Sequence, residues 1–128
     1  MQTLKTKKEF DFVYKNGFRR YGNGFVIYIF KQKGNEKFPF CYGLSVSKKI
    51  GKAVSRNLIK RRFRAMFLSF ASILENYKMV VVAKDGILNE SYNDLKNSIC
   101  NAILFALTRI DSRLSLVFKK SLDSGFKQ

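Results

Sequence analysis

Residues 45–64 read S-V-S-K-K-I-G-K-A-V-S-R-N-L-I-K-R-R-F-R, and this basic segment guides the interpretation of the whole chain. It contains eight basic residues and no acidic one. On an α-helix, at about 100° per residue, cations spaced four residues apart would form one ridge. That ridge consists of Lys52, Arg56, Lys60 and Arg64, with Asn57 and Arg61 beside it.

The predicted basic helix also has an apolar side, which we expect to face the core. Its members would be Val54, Leu58, Ile59, Ala65 and Met66, and the helix would run to about Leu74. Like charges at i,i+4 spacing destabilise a helix by a few tenths of a kcal/mol, so a solvated helix face normally mixes signs. A ridge of one sign therefore predicts an anionic partner outside the helix.

The charge of the whole chain supports the same interpretation. In 128 residues, 25 basic and 9 acidic residues give a net charge of +16. Such a balance favours a polyanion, most simply a nucleic acid. A membrane surface and a general solubility charge are the alternatives. The membrane alternative is less favoured, because Arg62 and Ser69 interrupt the expected apolar side of the helix.

Several chemistries are poorly represented in the sequence. There is no histidine, which removes the usual general base and most zinc sites. The nine carboxylates are scattered, and the near pair Glu9 and Asp11 would not face one another on a helix. Gly51-Lys52 lacks the rest of a phosphate-binding loop. We therefore predict neither catalytic nor metal-ligating residues.

The length predicts one domain over residues 1–118, followed by a mobile basic tail over residues 119–128. No apolar run is long enough for a membrane span, and the first twenty residues have no signal-peptide core. Cys41 and Cys100 lack metal-ligand spacing and are expected to be reduced. These features favour a cytoplasmic protein.

Local patterns predict alternating helices and strands. Thr6-x-x-Glu9 is typical of a helix start and Gly17 of a helix end. Residues 25–30 and 79–84 have strand composition, and a further helix is expected between residues 91 and 109. Residues 40–47 alternate, so one face should join the core. The other face, formed by small side chains, should leave room for a ligand or for a close approach of the backbone. The core-facing set is Phe40, Tyr42, Leu44 and Val46, and the opposite set is Cys41, Gly43, Ser45 and Ser47.

The basic segment resembles the signature of the bacterial ribonuclease P protein subunit, with Arg56-Asn57 at the centre of the motif. Residues 10–17 resemble the first helix of that family and residues 25–28 its next strand. The similarity covers about residues 5–108. Arg62 stands where many members are apolar and Tyr14 where Phe is frequent; a long Arg stem and a Tyr ring can both substitute there.

The resemblance implies an α+β fold of order α-β-β-β-α-β-α, with a central sheet and an uncommon left-handed βαβ crossover through the basic helix. It implies a protein that binds a catalytic RNA and the 5′ leader of precursor tRNA. In such an assembly the RNA performs the hydrolysis and holds the required Mg²⁺. The protein alone would be inactive and bind no cofactor, no small-molecule substrate and no membrane.

Two sets of site residues follow from the resemblance. The contacts to the catalytic RNA and its phosphates are expected from Lys48, Lys49, Lys52, Arg56, Asn57, Lys60, Arg61 and Arg64. The leader is expected in a cleft formed by Phe10, Tyr14 and Tyr28, since aromatic rings can stack on single-stranded bases. On composition alone, the core is the more common place for these aromatic residues, and the resemblance reverses that interpretation. A ribosome-associated RNA-binding module and a self-sufficient nuclease are the alternative functions.

Overall fold

The computed structural model describes residues 1–124 and contains a five-stranded sheet and four α-helices. The strands are β1 (Gln2–Thr3), β2 (Phe18–Gly22), β3 (Phe25–Lys31), β4 (Cys41–Ser45) and β5 (Tyr77–Ala83). The helices are α1 (Lys7–Asn16), α2 (Ala53–Leu68), α3 (Tyr92–Ile110) and α4 (Ser112–Asp123). The predicted α+β order is confirmed from α1 to α3, while β1 and α4 are additional elements.

The strands lie in the order β1-β4-β5-β3-β2. Helix α2 connects β4 to its parallel neighbour β5, whereas β3 runs antiparallel to both β5 and β2. The left-handed sense of this crossover stays a prediction. Across the sheet, the register aligns Gly43 with Val80, Val80 with Tyr28, and Tyr28 with Arg19. Neighbouring strands are about 4.8 Å apart, so these four residues form one row across the sheet.

Each face of the sheet carries its own hydrophobic cluster. The larger cluster packs β3, β4 and β5 against α2 and α3, and includes Phe25, Phe63 and Phe67. The smaller cluster lies under α1 and centres on Val13 and Val80. The predicted alternation of β4 and its flanks is confirmed, because Phe40 and Tyr42 belong to the larger cluster and Cys41 borders the smaller one.

The predicted apolar side of α2 is partly wrong. Val54 is 82% exposed and Ala65 is also exposed. The buried residues of the helix are instead Ile59, Phe63, Met66 and Phe67. Two phenylalanine rings bury more apolar area than Val and Ala, and therefore set the rotation of the helix against the sheet.

The predicted end of α2 at Leu74 is also wrong. The helix ends at Leu68, and the Ser69 hydroxyl donates a hydrogen bond to the carbonyl of Met66. The chain then turns towards β5 through Asn76, which has a φ of 72°. Ser hydroxyls that bond to the backbone in this way compete with helix continuation.

Helix α1 begins as predicted, since the hydroxyl of Thr6 accepts a hydrogen bond from the backbone N–H of Glu9. Gly17 ends the helix, but with an extended φ of −82° rather than a left-handed one. This position requires glycine because there is no room for a side chain. A Cβ there would lie 2.6 Å from the carbonyl oxygen of Val13. Glycine at this position therefore allows the chain to enter β2 directly from the helix.

The C-terminal segment differs from the predicted tail. Helix α4 continues through residues 119–123, and Phe118 is buried with its ring 5.5 Å from that of Phe70. The predicted tail over residues 119–128 is thus helical up to Asp123, and its last four residues lie outside the described part of the chain. Among residues 1–124, none of the helices is long and apolar enough to span a membrane.

Candidate nucleic-acid interface

The basic segment enters α2 without the usual capping side chain. Lys52 occupies the N-cap position and makes no side-chain capping hydrogen bond, and the first turn contains no acidic residue. Arg56, one turn into the helix, donates from Nη1 to the carbonyl oxygen of Gly51 at 2.8 Å. This hydrogen bond holds the preceding loop against the helix. Arg56 is half-buried, so part of its guanidinium remains available to a ligand.

The predicted cationic ridge of α2 borders the core rather than lying opposite to it. Lys60 is half-buried, and Arg64 is exposed with its Nε 3.4 Å from the hydroxyl of Tyr42. The most outward part of the helix carries Asn57 and Arg61, both of which are exposed. The ridge lies at the core border because burial of Phe63 and Phe67 determines the rotation of the helix. The cationic surface consequently extends from the core border to the outer face.

The positive charge of α2 is uncompensated. Within residues 1–124 one ion pair forms, between the Nζ of Lys31 and the Oδ2 of Asp111 at 2.9 Å, and it lies outside α2. The cations of the helix therefore face solvent without carboxylate partners in the described chain. Lys48 and Lys49 add to this charge from a short 3₁₀ turn before the helix.

The three predicted cleft residues lie together on the opposite face of the sheet. The ring centroids of Tyr14 and Tyr28 are 4.9 Å apart in a T-shaped arrangement, and those of Phe10 and Tyr14 are 6.4 Å apart. All three side chains are half-buried. Burial raises the pKa of Tyr14, and a hydrogen bond with Ser45 partly offsets this effect. The tyrosine is therefore neutral near pH 7 and able to donate a hydrogen bond.

Gly43 forms the floor beneath Phe10. A Cβ at this position would lie 2.5 Å from Cζ of the phenylalanine ring. The absence of a side chain thus allows the half-buried ring to rest on β4. The space that Gly43 leaves is occupied by Phe10 of the same chain, and the predicted room for a ligand on this face of β4 stays a prediction.

A groove of about 310 Å³ continues from the cleft at the carboxyl ends of β4 and β5. Ser45 lines this groove and is also the residue whose hydrogen bond affects the pKa of Tyr14, so the groove lies beside the cleft. Lys49 and Lys84 line it as well. Lys84 was not predicted from the sequence; its place directly after a buried strand was the available signal.

The remaining titratable groups give no sign of a metal or nucleophilic site. Among the described residues, no three His, Cys, Asp or Glu side chains come together. Cys41 and Cys100 are free thiols. Burial raises the pKa of both, to about 11 for Cys100, which keeps them protonated and unreactive near neutral pH.

Comparison with known proteins identifies the family. The sequence profile described as Ribonuclease P matches residues 1–107. The chain belongs to the ribonuclease P protein family. The ribonuclease P protein component of Helicobacter hepaticus is 37% identical over 116 residues, which cover 77% of this chain and 80% of that relative. The component from Streptococcus agalactiae is 35% identical over 103 residues, which cover 80% and 92%.

Solved ribonuclease P proteins share the fold. The Staphylococcus aureus protein matches with a TM-score of 0.73 and 30% identity over 81% of this chain and 94% of its own. The Thermotoga maritima protein, at 21% identity and a TM-score of 0.67, covers 79% of this chain and supports the fold alone. As a ribonuclease P protein, the chain is a component of an endoribonuclease that acts in tRNA processing with an RNA subunit.

Proposed function

We propose that α2 and its preceding turn bind the catalytic RNA, that the cleft between α1 and the sheet binds the 5′ leader of precursor tRNA, and that the RNA performs the hydrolysis. The observation that carries this proposal is the separation of two surfaces by one sheet. One surface is cationic and lacks ion-pair partners in residues 1–124, and the other is lined by aromatic rings. Such a protein can hold two nucleic-acid segments at once.

The start of α2 is well suited to phosphate. The unpaired backbone N–H groups of a helix start carry partial positive charge and bind anions, and a Lys at the N-cap supplies no oxygen that would compete for them. Lys48, Lys49 and Lys52 oppose the helix dipole in the free protein, whereas a phosphate would reverse the sign of that interaction. Arg61 and Arg64 are placed to contact further phosphates along the helix.

The cleft is well suited to single-stranded RNA. Tyr14 and Tyr28 form a T-shaped pair and both are half-buried, so we expect the exposed part of the pair to accept a base. Stacking accepts any base, because every base presents a π-face, and each stacked base contributes about 1–3 kcal/mol. A leader of variable sequence requires recognition of this kind. Lys84 in the adjoining groove would neutralise a leader phosphate, with Asp85 beside it on the same lining.

The proposed division of labour leaves the Mg²⁺ to the RNA. The chain has no histidine, and its carboxylates are scattered, so it offers no evident general base or paired metal ligands. A protein of charge +16 would instead replace part of the cation atmosphere that the association of two RNAs requires. The leader contacts would add binding energy specific to the precursor.

Precursor-tRNA cleavage by the protein, by its cognate RNA and by both together tests this proposal. The protein alone should not cleave at any Mg²⁺ concentration. The RNA should cleave slowly at high Mg²⁺, and the mixture should cleave efficiently at lower Mg²⁺. Cleavage by the protein alone would contradict the division of labour, and unchanged cleavage on adding the protein would contradict both binding surfaces.

A further inference from the structure

The edge strand β2 presents an arginine and a tyrosine beside the proposed leader cleft. Arg19 is directly opposite Tyr28 in the β2–β3 register, and Tyr21 lies two residues farther along. Side chains two apart on a strand share a face, so Arg19 and Tyr21 lie on the same side of the sheet as Tyr28. Arg20 between them points the other way, where its guanidinium carbon lies 3.8 Å from the Phe105 ring centroid on α3.

Arg19 and Tyr21 form an exposed pair. The guanidinium carbon of Arg19 lies 5.4 Å from the ring centroid of Tyr21, and Tyr21 is 63% exposed. Strand β2 is the last strand of the sheet on this side, so no further strand covers the pair. A core tyrosine would be buried, and a solvated edge strand would more commonly present charges alone. A flat ring beside a planar cation instead matches the groups that bind single-stranded RNA.

The register connects this pair to the cleft. Ring contacts run from Phe10 to Tyr14 and from Tyr14 to Tyr28, and Arg19 lies one strand beyond Tyr28, at a spacing of about 4.8 Å. We propose that Arg19 and Tyr21 extend the leader-binding surface onto β2. One leader base stacks on Tyr21, and Arg19 pairs with the adjoining phosphate. This inference rests on the proposed leader cleft and adds to it a second contact region for longer leaders.

The experiment measures the affinity of the assembled protein–RNA complex for precursor tRNAs whose leaders are lengthened one nucleotide at a time. Tyr21→Ala should reduce affinity roughly 5- to 30-fold for long leaders, the lower part of the range for one stacked base. It should have no effect on leaders that end within the cleft. Tyr21→Phe should retain affinity, since stacking does not need the hydroxyl. Arg19→Ala should weaken binding of the same long leaders.

Two control variants match these changes. Arg20→Ala removes the same charge from the opposite side of the same strand, and Leu116→Ala truncates a side chain on α4 that is also 63% exposed. Neither should change the dependence on leader length. Thermal melting of each variant establishes that it is folded under the binding conditions.

The outcomes separate this inference from the proposed cleft. If Tyr28→Ala impairs leader binding while Tyr21→Ala does not, the extension onto β2 is wrong and the cleft stands. If Arg19→Ala and Arg20→Ala cause equal losses, the effect is one of net charge and the role of Arg19 is overturned. If the affinity of the unmodified protein does not depend on the leader, and Tyr28→Ala is neutral, both the cleft and its extension fail.

Discussion

Gly43 and Phe10 approach so closely that a methyl group on the glycine would lie 2.5 Å from Cζ of the ring. The glycine thus determines where Phe10 can rest on the sheet, although the two residues belong to different elements. We predict that Gly43→Ala displaces the ring, lowers stability by about 1–3 kcal/mol through overpacking, and weakens leader binding. Affinity for the catalytic RNA should not change.

The double variant Gly43→Ala with Phe10→Leu provides the control. A smaller, flexible side chain should relieve the clash and restore much of the melting temperature, because the two positions are in contact and their effects are coupled. It should not restore leader affinity, since the aromatic ring is gone. Full recovery of leader binding would show that Phe10 acts only through packing.

The two arginines Arg56 and Arg61 of α2 should respond differently to truncation. Arg61→Ala should weaken binding to the catalytic RNA and reduce the slope of log affinity against log salt by about one, with unchanged stability. Arg56→Ala should also lower stability, because its Nη1 bonds the carbonyl of Gly51. Arg113→Ala on α4 serves as the charge-matched control. Wild-type affinity and slope in both α2 variants would exclude α2 as the RNA-binding surface.

Tyr14 and Tyr28 should distinguish precursor from mature tRNA. Replacing either by Ala should cost about 1–3 kcal/mol in affinity for precursor tRNA and much less for mature tRNA, since the latter has no leader to stack. Tyr28→Phe should retain most of the affinity. Equal losses for both ligands, together with a large drop in melting temperature, would mean that these rings serve the fold alone.

Asp111 should couple the stability of the C-terminal helix to pH. A hydrogen bond from Lys31 is the largest effect and holds the pKa of this carboxyl below its ordinary value of about 4. Burial opposes it, and a hydrogen bond from the backbone N–H of Leu114 lowers the pKa further. Since the folded pKa is the lower one, the stabilisation is complete above pH 4 and is lost as the pH falls through the folded pKa.

Two substitutions of Asp111 separate its roles. Asp111→Ala removes both the α4 cap and the ion pair with Lys31, and should cost about 1–2 kcal/mol at neutral pH. Asp111→Asn keeps a capping oxygen and should cost less than about 1 kcal/mol, because the ion pair is partly exposed. Denaturant titrations at pH 7 and pH 3 measure both effects. The loss of stability of each variant relative to the unmodified protein should shrink at the lower pH, because protonation of Asp111 weakens its ion pair in the unmodified protein.

Single carboxylate replacements should leave the chemical step intact. Substituting each of Glu9, Asp11, Asp85 and Asp94 by its amide should change single-turnover cleavage by the assembled enzyme only slightly. This expectation follows from the lack of clustered metal ligands among the described residues. A loss of several orders of magnitude from one variant, with folding and substrate binding preserved, would assign a catalytic or metal-binding group to the protein.

Local patterns predicted those parts of the fold that depend on neighbours in sequence. The alternation of residues 40–47 and the Thr6 cap needed no long-range information, and both are confirmed. The rotation of α2 could not be read from its charges. Its cationic ridge and its phenylalanines point in similar directions, and burial of the rings determines which side of the helix faces the core.

Other features of the site depend on contacts that no local pattern reveals. The closeness of Gly43 to Phe10 and of Ser45 to Tyr14 requires the packing of α1 on β4. Helix α4 is amphipathic but was not predicted as a helix of the domain, and its buried Phe118 packs against the distant Phe70. The assignment of the cleft aromatics to a leader came from the family resemblance, since half-buried rings serve cores and ligands alike.

The placement of the two proposed binding surfaces on opposite faces of one sheet has a mechanical consequence. Strands β3, β4 and β5 are joined by continuous hydrogen-bonded ladders and packed on both sides, so they resist bending. If α2 bound the RNA in a shifted position, Tyr14 and Tyr28 would therefore move together with it as one rigid body. The thickness of the domain would fix the distance between the bound RNA and the bound leader. Small changes in how α2 docks would therefore appear as altered positions of cleavage.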